Sequence, residues 1–481
     1  MKRKTLVGLL AANFLLTASL FAQRSGATDC SIAARGGLKT DTFPGQARVS
    51  YGGGGIVVRC PTRNITLVAD SGRQEGSDRI DLYRGVHYTE PGKIDLKSDV
   101  LTYFEVDERV FVTGHVIATL PSGSTLVGPE ATYLRMIPGR RLLEELTAVN
   151  TPTVTIAPAQ GDTAKPVTVN ATTIYMKGDS LIYASRKVRI TRNDLIALGD
   201  SAFLDGRAGQ ETMRLMFTPS VQGLTGRKFR LEGEIIDAYS KSRKLERVVA
   251  RGKGHATSQD LQIASDTIDL RMSNDALERA IAWSRPGLAN AKSPGQTIDA
   301  DSIDVVMPKQ KVSVIYAVRR AYAQAEADSV RFKTPEKDWL KGDTVTAWFD
   351  TTALKDTSST PPIKRILATH HANSAQAYYH MAPNDTAEHR PAISYVRGHQ
   401  IRLDFDSRKV VLVSVQDSVS GYYLEPTADS TKTADKGGKG KASKSTSAKA
   451  PVKTPAKPPT QSPIRKPPDL AHVDQPDSFR L

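Results

Sequence analysis

Apolar and polar side chains alternate with a period of two along most of this chain. In one such run, Val345, Ala347 and Phe349 would share one face of an extended strand, and the residues between them would share the other. Gly342 and Asp343 come just before this run and are residues that favour a turn. The pattern therefore predicts a strand with one buried and one solvent-facing side, preceded by a turn.

The same pattern recurs along the chain, with an acidic or polar marker followed by strand positions two and four residues further on. Most neighbouring markers are roughly 15–35 residues apart, within the range typical of stacked repeats. We expect the positions after each marker to form one buried row. The markers and these positions are Asp99 with Leu101 and Tyr103, Glu130 with Thr132 and Leu134, Asp179 with Leu181 and Tyr183, Asp200 with Ala202 and Leu204, Glu234 with Ile236 and Ala238, Asp266 with Ile268 and Leu270, Asp301 with Ile303 and Val305, Asp328 with Val330 and Phe332, Asp343 with the run described above, and His399 with Ile401, Leu403 and Phe405.

Second alternating runs follow several of these strands after short polar turns. Residues 110–117 follow a turn at 107–109, and residues 409–413 follow a turn at 406–408. Each such pair indicates a hairpin or a solenoid corner. Because helical periodicity is nearly absent, the expected fold class is all-β. It would be an elongated open β-jellyroll or β-solenoid of stacked antiparallel strand pairs.

The predicted apolar row has to be covered, and two arrangements would cover it. A second sheet packed face to face would close the row into a dry core. Two sheets that lean apart would instead leave an apolar groove along the stack, which would suit acyl chains. Alternation is compatible with both arrangements, so the deciding observation is whether an apolar groove opens to solvent.

The N-terminus has the pattern of an export signal. Lys2-Arg3-Lys4 is a charged segment, residues 5–21 are an apolar segment, and a small residue follows, which places cleavage after Ala22. A membrane anchor is the alternative interpretation, but the apolar span is short and no stop-transfer pattern follows it. We therefore expect an exported, periplasmic protein. A further expectation is that it associates with the outer membrane.

Changes in composition divide the rest of the chain. After Glu425 the residues are mainly Lys, Ser, Thr, Ala, Gly and Pro without an apolar pattern, which is typical of disorder. The expected organisation is a signal peptide at 1–22, a glycine-rich flexible lead-in at 23–55, jellyroll repeats in two parts at 56–240 and 241–425, and a disordered Lys/Pro/Ser-rich tail at 426–481.

Two cysteines, Cys30 and Cys60, remain after the predicted signal peptide. In an oxidising compartment they are able to form a disulfide that closes a loop near the N-terminus. Two free thiols are the alternative, and the sequence leaves both open.

The formal charge of +15, from 66 Lys and Arg against 51 Asp and Glu, is unevenly distributed. Part of the excess lies at the extreme N-terminus, and the tail holds eleven Lys and Arg against five Asp and Glu. The body between them is only mildly basic, so the charge does not indicate a nucleic-acid groove. Plain solubility explains such an excess, and contact with anionic lipid or phosphorylated sugar is the alternative.

Motifs for covalent chemistry are absent from the sequence. It has neither a Gly-x-Ser-x-Gly elbow nor a His-Glu-x-x-His helix. His370 and His371 would point to opposite faces of a strand, which makes them a poor metal pair. The recurring acids are best explained as a device repeated with the structure. We therefore expect no enzymatic activity, no cofactor and no metal site.

Two segments carry a resemblance to a known family. Residues 95–103 with 112–116 resemble the repeat unit of the organic solvent tolerance (OstA)/LptA-like proteins, and residues 339–343, 372–379 and 396–401 are similar to OstA-like proteins of Bacteroidota-type bacteria. The similarity covers about residues 56–425. It implies an open β-jellyroll that binds lipopolysaccharide by its acyl chains and passes it across the periplasm.

The resemblance also implies partners. These are lipopolysaccharide or a similar glycolipid, other jellyroll proteins of the transport bridge, the outer-membrane translocon, and end-to-end association of the chain with itself. The chain is longer than a simple shuttle protein and lacks the long C-terminal barrel of the translocon member.

The leading hypothesis is a non-enzymatic periplasmic protein that carries lipopolysaccharide or a similar glycolipid toward the outer membrane along an apolar β groove. The alternatives are a structural or interaction β-repeat protein of the envelope with a closed dry core, and an envelope glycan hydrolase, which would need clustered carboxylates in a groove. The positions expected to face lipid are Leu101, Tyr103, Leu181, Tyr183, Ile268, Leu270, Ile303, Val305, Val345 and Phe349.

Overall fold

The structure is a computed structural model that describes residues 29–426 apart from 43, 46, 159–164, 207–209, 227, 259–260, 275, 328–333, 353–360, 373, 384–389 and 407–408. Within these residues the chain forms 34 antiparallel strands and two short 3-10 helices, which confirms the all-β prediction. The predicted signal peptide, the predicted tail beyond Pro426 and the marker Asp328 with Val330 and Phe332 lie outside the described residues.

The strands have these bounds: β1 Ser31–Ala34, β2 Leu38–Asp41, β3 Val49–Gly52, β4 Ile56–Cys60, β5 Ile65–Ala69, β6 Ser71–Glu75, β7 Arg79–Glu90, β8 Ile94–Phe104, β9 Arg109–Thr119, β10 Thr125–Leu134, β11 Glu145–Val149, β12 Thr153–Ile156, β13 Val167–Asn170, β14 Thr173–Lys177, β15 Leu181–Thr191, β16 Leu195–Asp205 and β17 Gln210–Met216. They continue with β18 Ser220–Gly223, β19 Phe229–Glu232, β20 Ile235–Lys241, β21 Lys244–Ser258, β22 Gln262–Ser273, β23 Ala276–Trp283, β24 Ala289–Ser293, β25 Gln296–Ala300, β26 Ser302–Val306, β27 Val314–Glu326, β28 Lys337–Phe349, β29 Ile363–Thr369, β30 Ala375–Met381, β31 Ala392–Gly398, β32 Gln400–Asp406, β33 Lys409–Gln416 and β34 Ser420–Leu424. The 3-10 helices are Pro61–Arg63 and Pro308–Gln310.

Pairing arranges the strands in two continuous antiparallel ladders, and the long strands take part in both. The first half of β7 pairs with β6, for example, and its second half pairs with β5. Sheet 1 has the order β1–β4–β5–β7–β8–β9–β10–β12–β13–β15–β16–β18–β19–β21–β22–β24–β25–β27–β28–β30–β31–β34. Sheet 2 has the order β2–β3–β6–β7–β8–β9–β10–β11–β14–β15–β16–β17–β20–β21–β22–β23–β26–β27–β28–β29–β32–β33.

The strands pass from one sheet to the other along a single edge, which we call the crossing edge. Several crossings use two consecutive residues with positive φ, a conformation that L residues rarely adopt. The pairing register shifts at these points. The strand that carries the pair keeps its inward parity, as from Leu82 to Val86, whereas its neighbour skips one residue and changes parity, as from Leu96 to Leu101. The pairs are Arg84-Gly85, Gly114-His115, Arg186-Lys187, Gly252-Lys253 and Arg319-Arg320.

Several of the acidic markers lie on the crossing edge and contact these pairs from the neighbouring strand. Asp99 Oδ2 lies 2.7 Å from Nδ1 of His115, and a Cβ at Gly114 would collide with the Asp99 side chain. Glu234 Oε1 lies 3.0 Å from Nζ of Lys253. The repeated acids are therefore structural partners of the crossings.

The marker at Asp343 shows where the turn prediction was wrong. Strand β28 runs without a break through Gly342 and Asp343, because the chain crosses between sheets there and does not reverse. The carboxylate of Asp343 accepts a hydrogen bond of 2.8 Å from the backbone N–H of His371. Gly342 is required by close packing, since a Cβ there would lie 2.7 Å from the carbonyl oxygen of Thr369.

Two of the predicted domain boundaries differ from the structure. The segment predicted as a flexible lead-in contains β1, β2 and β3, because these short strands extend the two sheets. The predicted division at 240/241 falls inside β20, which pairs continuously with β21, and the chain through Pro426 forms one compact unit. Cys30 and Cys60 form a disulfide that ties the start of β1 to the end of β4.

Candidate functional site

The ends of the two sheets opposite the crossing edge face each other, and we call this line of contact the seam. Hairpin turns of both sheets lie there, and polar side chains join the two sheets across it. The inward side chains form one hydrophobic cluster from Cys30 to Leu403. The seam is filled differently in the N-terminal part of the stack and in its middle.

In the N-terminal part, buried ion pairs close the seam. Arg135 at the end of β10 binds Glu90 of sheet 1 at 2.9 Å and also Glu108. Arg63 binds Glu108 at 2.8 Å and lies 3.5 Å from Glu105. Guanidinium groups of this kind stabilise buried carboxylates through several hydrogen bonds at once. The N-terminal seam is therefore sealed.

Three tyrosines fill the space beneath these ion pairs. The hydroxyl groups of Tyr88 and Tyr133 donate to Glu90 at 3.0 and 3.3 Å, and that of Tyr103 donates to Glu108 at 3.0 Å. Burial raises the pKa of all three phenols well above their usual range. Each hydroxyl has a carboxylate partner, so these buried polar groups are hydrogen-bonded without water.

Burial also raises the pKa of Glu105 to about 7. Its side chain is only 5% exposed, and one of its oxygens has no hydrogen-bond partner. Arg63 partly offsets the effect of burial on this pKa, whereas Glu108 and Asp29 add to it. Glu105 is thus the least well satisfied member of the sealed seam.

In the middle of the stack the seam opens into a cleft of about 1030 Å³ between the two sheets. Sheet 1 and sheet 2 each contribute four apolar side chains to its walls, and Pro121–Ser124, Ala157 and residues 179–180 lie around its mouth. The strands position these side chains by simple alternation, so that each faces the opposite sheet. The apolar wall residues are Ile156, Val167, Ile190 and Leu195 of sheet 1 and Ile182, Leu204, Met213 and Ala238 of sheet 2.

Polar contacts bridge the mouth of the cleft. Ser122, in the β9–β10 turn of sheet 1, donates from its backbone N–H and its hydroxyl to Asp179 of sheet 2, both at 2.8 Å. Arg243, in the β20–β21 turn of sheet 2, donates to the carbonyl oxygen of Ala157 at 2.8 Å. These bridges hold the two edges together above an apolar interior.

Two arginines at the mouth are already paired with carboxylates. Arg192 binds Asp194 through two hydrogen bonds of 2.5 and 2.6 Å and donates to Ser240 across the seam at 2.7 Å. Arg243 binds Glu211 at 2.8 Å, and Arg192 lies 3.9 Å from the same carboxylate. The basic groups at the mouth are therefore engaged in internal ion pairs.

The cleft is bounded along the stack. Leu126 and Ile174 lie in strands before it, and Leu231 and Val248 lie in strands after it, and all four are fully buried. The apolar interior is thus closed on both sides of the cleft. The sequence left a closed core and an open groove as alternatives. The structure has both, since the core is closed in most places and open at this cleft.

None of the ten positions predicted to face lipid lines this cleft. The positions buried between the sheets are Leu101, Tyr103, Ile268, Leu270, Ile303, Val305 and Val345, and Phe349 is partly buried against the same cluster. Leu181 is buried but lies outside this cluster, because it shares the outward-facing parity of Tyr183 in β15. Two other members of the predicted buried row, Leu204 and Ala238, do lie in the cleft wall.

The inward direction predicted for Tyr183 was wrong. Its side chain is 43% exposed on the outer face of sheet 2, between Tyr175 and Phe203, with ring centroids 5.7 and 4.7 Å away. The reason is that Asp179 lies in a seam turn and not on the crossing edge. In β15 the inward positions are therefore Ile182 and the alternate residues that follow it.

The C-terminal end of the stack presents a second candidate surface. Strands β33 and β34 are the last strands of the two sheets, and their side chains Val411, Tyr422 and Leu424 are exposed, Tyr422 by 73%. Edge strands with exposed apolar side chains are able to pair with another strand. At the opposite end, β1 is short and tied by the disulfide of Cys30.

The described residues contain no group of three or more His, Cys, Asp or Glu side chains arranged for a metal ion. No helix in the described part of the chain is long and apolar enough to cross a membrane. No family model matches the chain, and no curated protein matches it. The resemblance to OstA/LptA-like proteins accordingly stays a prediction from the repeat pattern.

Proposed function

We propose that this protein is a non-enzymatic periplasmic carrier that holds lipopolysaccharide or a similar glycolipid by its acyl chains on the way to the outer membrane. The observation that carries the proposal is the apolar cleft between the two sheets, with eight apolar side chains in its walls and a polar mouth. Each methylene placed there would gain about 0.8 kcal/mol from leaving water. The carboxylates and arginines of the mouth would contact the headgroup.

Two further observations support the place of action and the partners. The disulfide between Cys30 and Cys60 suits an oxidising compartment such as the periplasm, in agreement with the export signal read from the sequence. The exposed edge strands β33 and β34 would pair with another jellyroll protein of the transport bridge, with the outer-membrane translocon or with a second copy of this chain.

Site-specific photo-crosslinking tests the cargo. A photoreactive residue in place of Leu204, in the cleft wall, should form adducts with labelled lipopolysaccharide. The same residue in place of Tyr183, which belongs to the adjacent strand but faces solvent, serves as the control. Adducts at both positions, or at neither, would contradict binding inside the cleft.

A structural role is the second candidate, and the closed parts of the core favour it. In the N-terminal seam the interior is filled by Tyr88, Tyr103 and Tyr133, which leaves no groove for a lipid to pass along. On this interpretation the chain is an interaction β-repeat of the envelope with a dry core. Cleft variants would then leave every lipid-binding measurement unchanged, whereas variants of β34 would disrupt a complex.

A further inference from the structure

The size of the cleft limits the hydrocarbon that it is able to hold. A methylene takes up about as much space as a water molecule does in the liquid, roughly 30 Å³. The cleft of about 1030 Å³ is open at its mouth, and its size is of the order of two acyl chains of about 16 carbons. Because the interior is closed on both sides, at Leu126 and at Leu231, further chains would have no continuous apolar space.

The charges at the mouth indicate the headgroup. Arg192 is paired with Asp194, and Arg243 is paired with Glu211. The side chains of Arg192 and Asp194 are each only 9% exposed, so separating one partner from the other leaves a poorly solvated charge. A purely anionic headgroup would take an arginine and leave its carboxylate unpaired.

A headgroup with both charges avoids this loss. Its phosphate would pair with Arg243 while its ammonium group pairs with Glu211, so that both protein charges keep a partner. The number of ion pairs at the mouth then rises by one without any charge being left alone. Asp179, which Ser122 holds at the other side of the mouth, adds further negative potential for an ammonium group.

We infer that the cleft is a binding site for one diacyl lipid with a zwitterionic headgroup that carries both a phosphate and an amine. This inference rests on the carrier role of the proposed function and replaces the many-chained glycolipid with a two-chained lipid as the occupant of the cleft. Loading requires the bridges from Ser122 to Asp179 and from Arg243 to Ala157 to open, since they lie across the mouth.

Lipid capture from vesicles tests the inference. The full-length protein is incubated with vesicles of equal parts phosphatidylethanolamine and phosphatidylglycerol with matched acyl chains, re-isolated and extracted, and bound lipid is counted by mass spectrometry. We expect about one lipid per chain and an enrichment of phosphatidylethanolamine of about tenfold. A parallel sample contains purified lipopolysaccharide.

Matched variants locate the binding. Met213→Trp fills the cleft from β17, whereas Met216→Trp makes the same change on the opposite face of the same strand. The first variant should retain about a tenth of the bound lipid or less, and the second should retain all of it. Glu211→Gln removes the proposed partner of the ammonium group, and the tenfold preference for phosphatidylethanolamine should fall toward equality.

The outcomes separate the inference from the proposed function. Equal capture of both phospholipids by the wild type and by Glu211→Gln would overturn the headgroup assignment. Capture of lipopolysaccharide that Met213→Trp abolishes, without capture of diacyl lipid, would overturn the two-chain class and leave the carrier function standing. If Met213→Trp changes the capture of no lipid at all, the carrier function itself is wrong.

Discussion

The N-terminal seam and the middle seam are built from the same ladders but enclose different interiors. In the first, Tyr88, Tyr103 and Tyr133 fill the space and their hydroxyls reach the seam carboxylates. In the second, small residues such as Ala238 and Ser240 occupy the seam end of sheet 2, and a cleft remains. Large side chains near the seam therefore give a closed core, whereas small side chains there leave a cleft.

The polar groups also differ in what they contribute. In the N-terminal seam, Arg135 is buried among carboxylates and tyrosines, so that its charge belongs to the core. At the cleft mouth, Arg243 and Glu211 lie above the apolar space and bridge its opening. Ion pairs of the first kind support the fold, whereas those of the second kind are placed where a ligand would meet them.

The largest expected effect separates these two kinds of ion pair. Arg135→Met leaves Glu90 and Glu108 without their shared partner in a buried site, and we expect a loss of about 3–5 kcal/mol in the free energy of unfolding. Arg243→Met is the control at the mouth, where Glu211 is more exposed, and should cost about 1 kcal/mol. Equilibrium unfolding in urea measures both, and equal losses would contradict the contrast between the two seams.

A second comparison uses leucines. Leu101→Ala creates a cavity in the closed interior and should cost about 3 kcal/mol or more, because Leu101 is fully buried. Leu204→Ala removes the same atoms from a wall that already faces open space, so about 1–2 kcal/mol is expected. Urea unfolding measures the loss of unfolding free energy in both variants. A larger loss for Leu204→Ala than for Leu101→Ala would contradict a cleft at Leu204.

A third effect, which depends on pH, concerns Glu105. Burial raises its pKa to about 7 in the folded protein, above its value in the unfolded chain, so the unfolded chain loses the proton first as the pH rises. Folding stability that Glu105 supports at pH 4 is therefore lost progressively up to about pH 7. Glu105→Gln does not titrate. Relative to the wild type, its unfolding free energy should gain up to about 3 kcal/mol between pH 4 and pH 8.

Thermal or urea unfolding at the two pH values measures this gain. Glu108→Gln is the control, because pairing with Arg63 and Arg135 holds the pKa of Glu108 below its usual value in spite of burial. That variant should lose stability at pH 8 relative to pH 4. A gain in both variants would mean that the seam is more open to water than the structure indicates.

The fold followed from alternation because a strand has only two faces. After the markers Asp266, Asp301 and Asp343 on the crossing edge, the positions two residues later are inward and buried. Glu130 lies one residue past the register shift of β10, so the inward positions there are Ala131 and Tyr133 and the predicted Thr132 and Leu134 were wrong. Asp179 has the same local sequence pattern but lies in a seam turn, so the rule gave the wrong face for Tyr183. Residue types alone do not distinguish the crossing edge from a seam turn, since carboxylates that bind backbone or basic groups occur at both.

The cleft could not be predicted from the sequence pattern, because it depends on contacts between residues that are far apart in the chain. Arg243 meets the carbonyl oxygen of Ala157, and Asp179 meets Ser122. Neither contact has a local signature. The available signal was volume, since the seam positions of the N-terminal strands carry tyrosines and those of β20 carry Ala238 and Ser240.

The crossing pairs have a consequence for how this protein could change in length. Several acids bind the pair in the next strand, as Asp99 does with His115 and Glu234 does with Lys253. Structural dependence is therefore mainly between neighbouring crossings, as in other repeat proteins, although Arg320 also reaches the carbonyl oxygens of Pro286 and Gly287 one crossing further on. Duplication or loss of a segment that contains one acid and one crossing pair would lengthen or shorten the stack while most of the remaining crossings kept their partners.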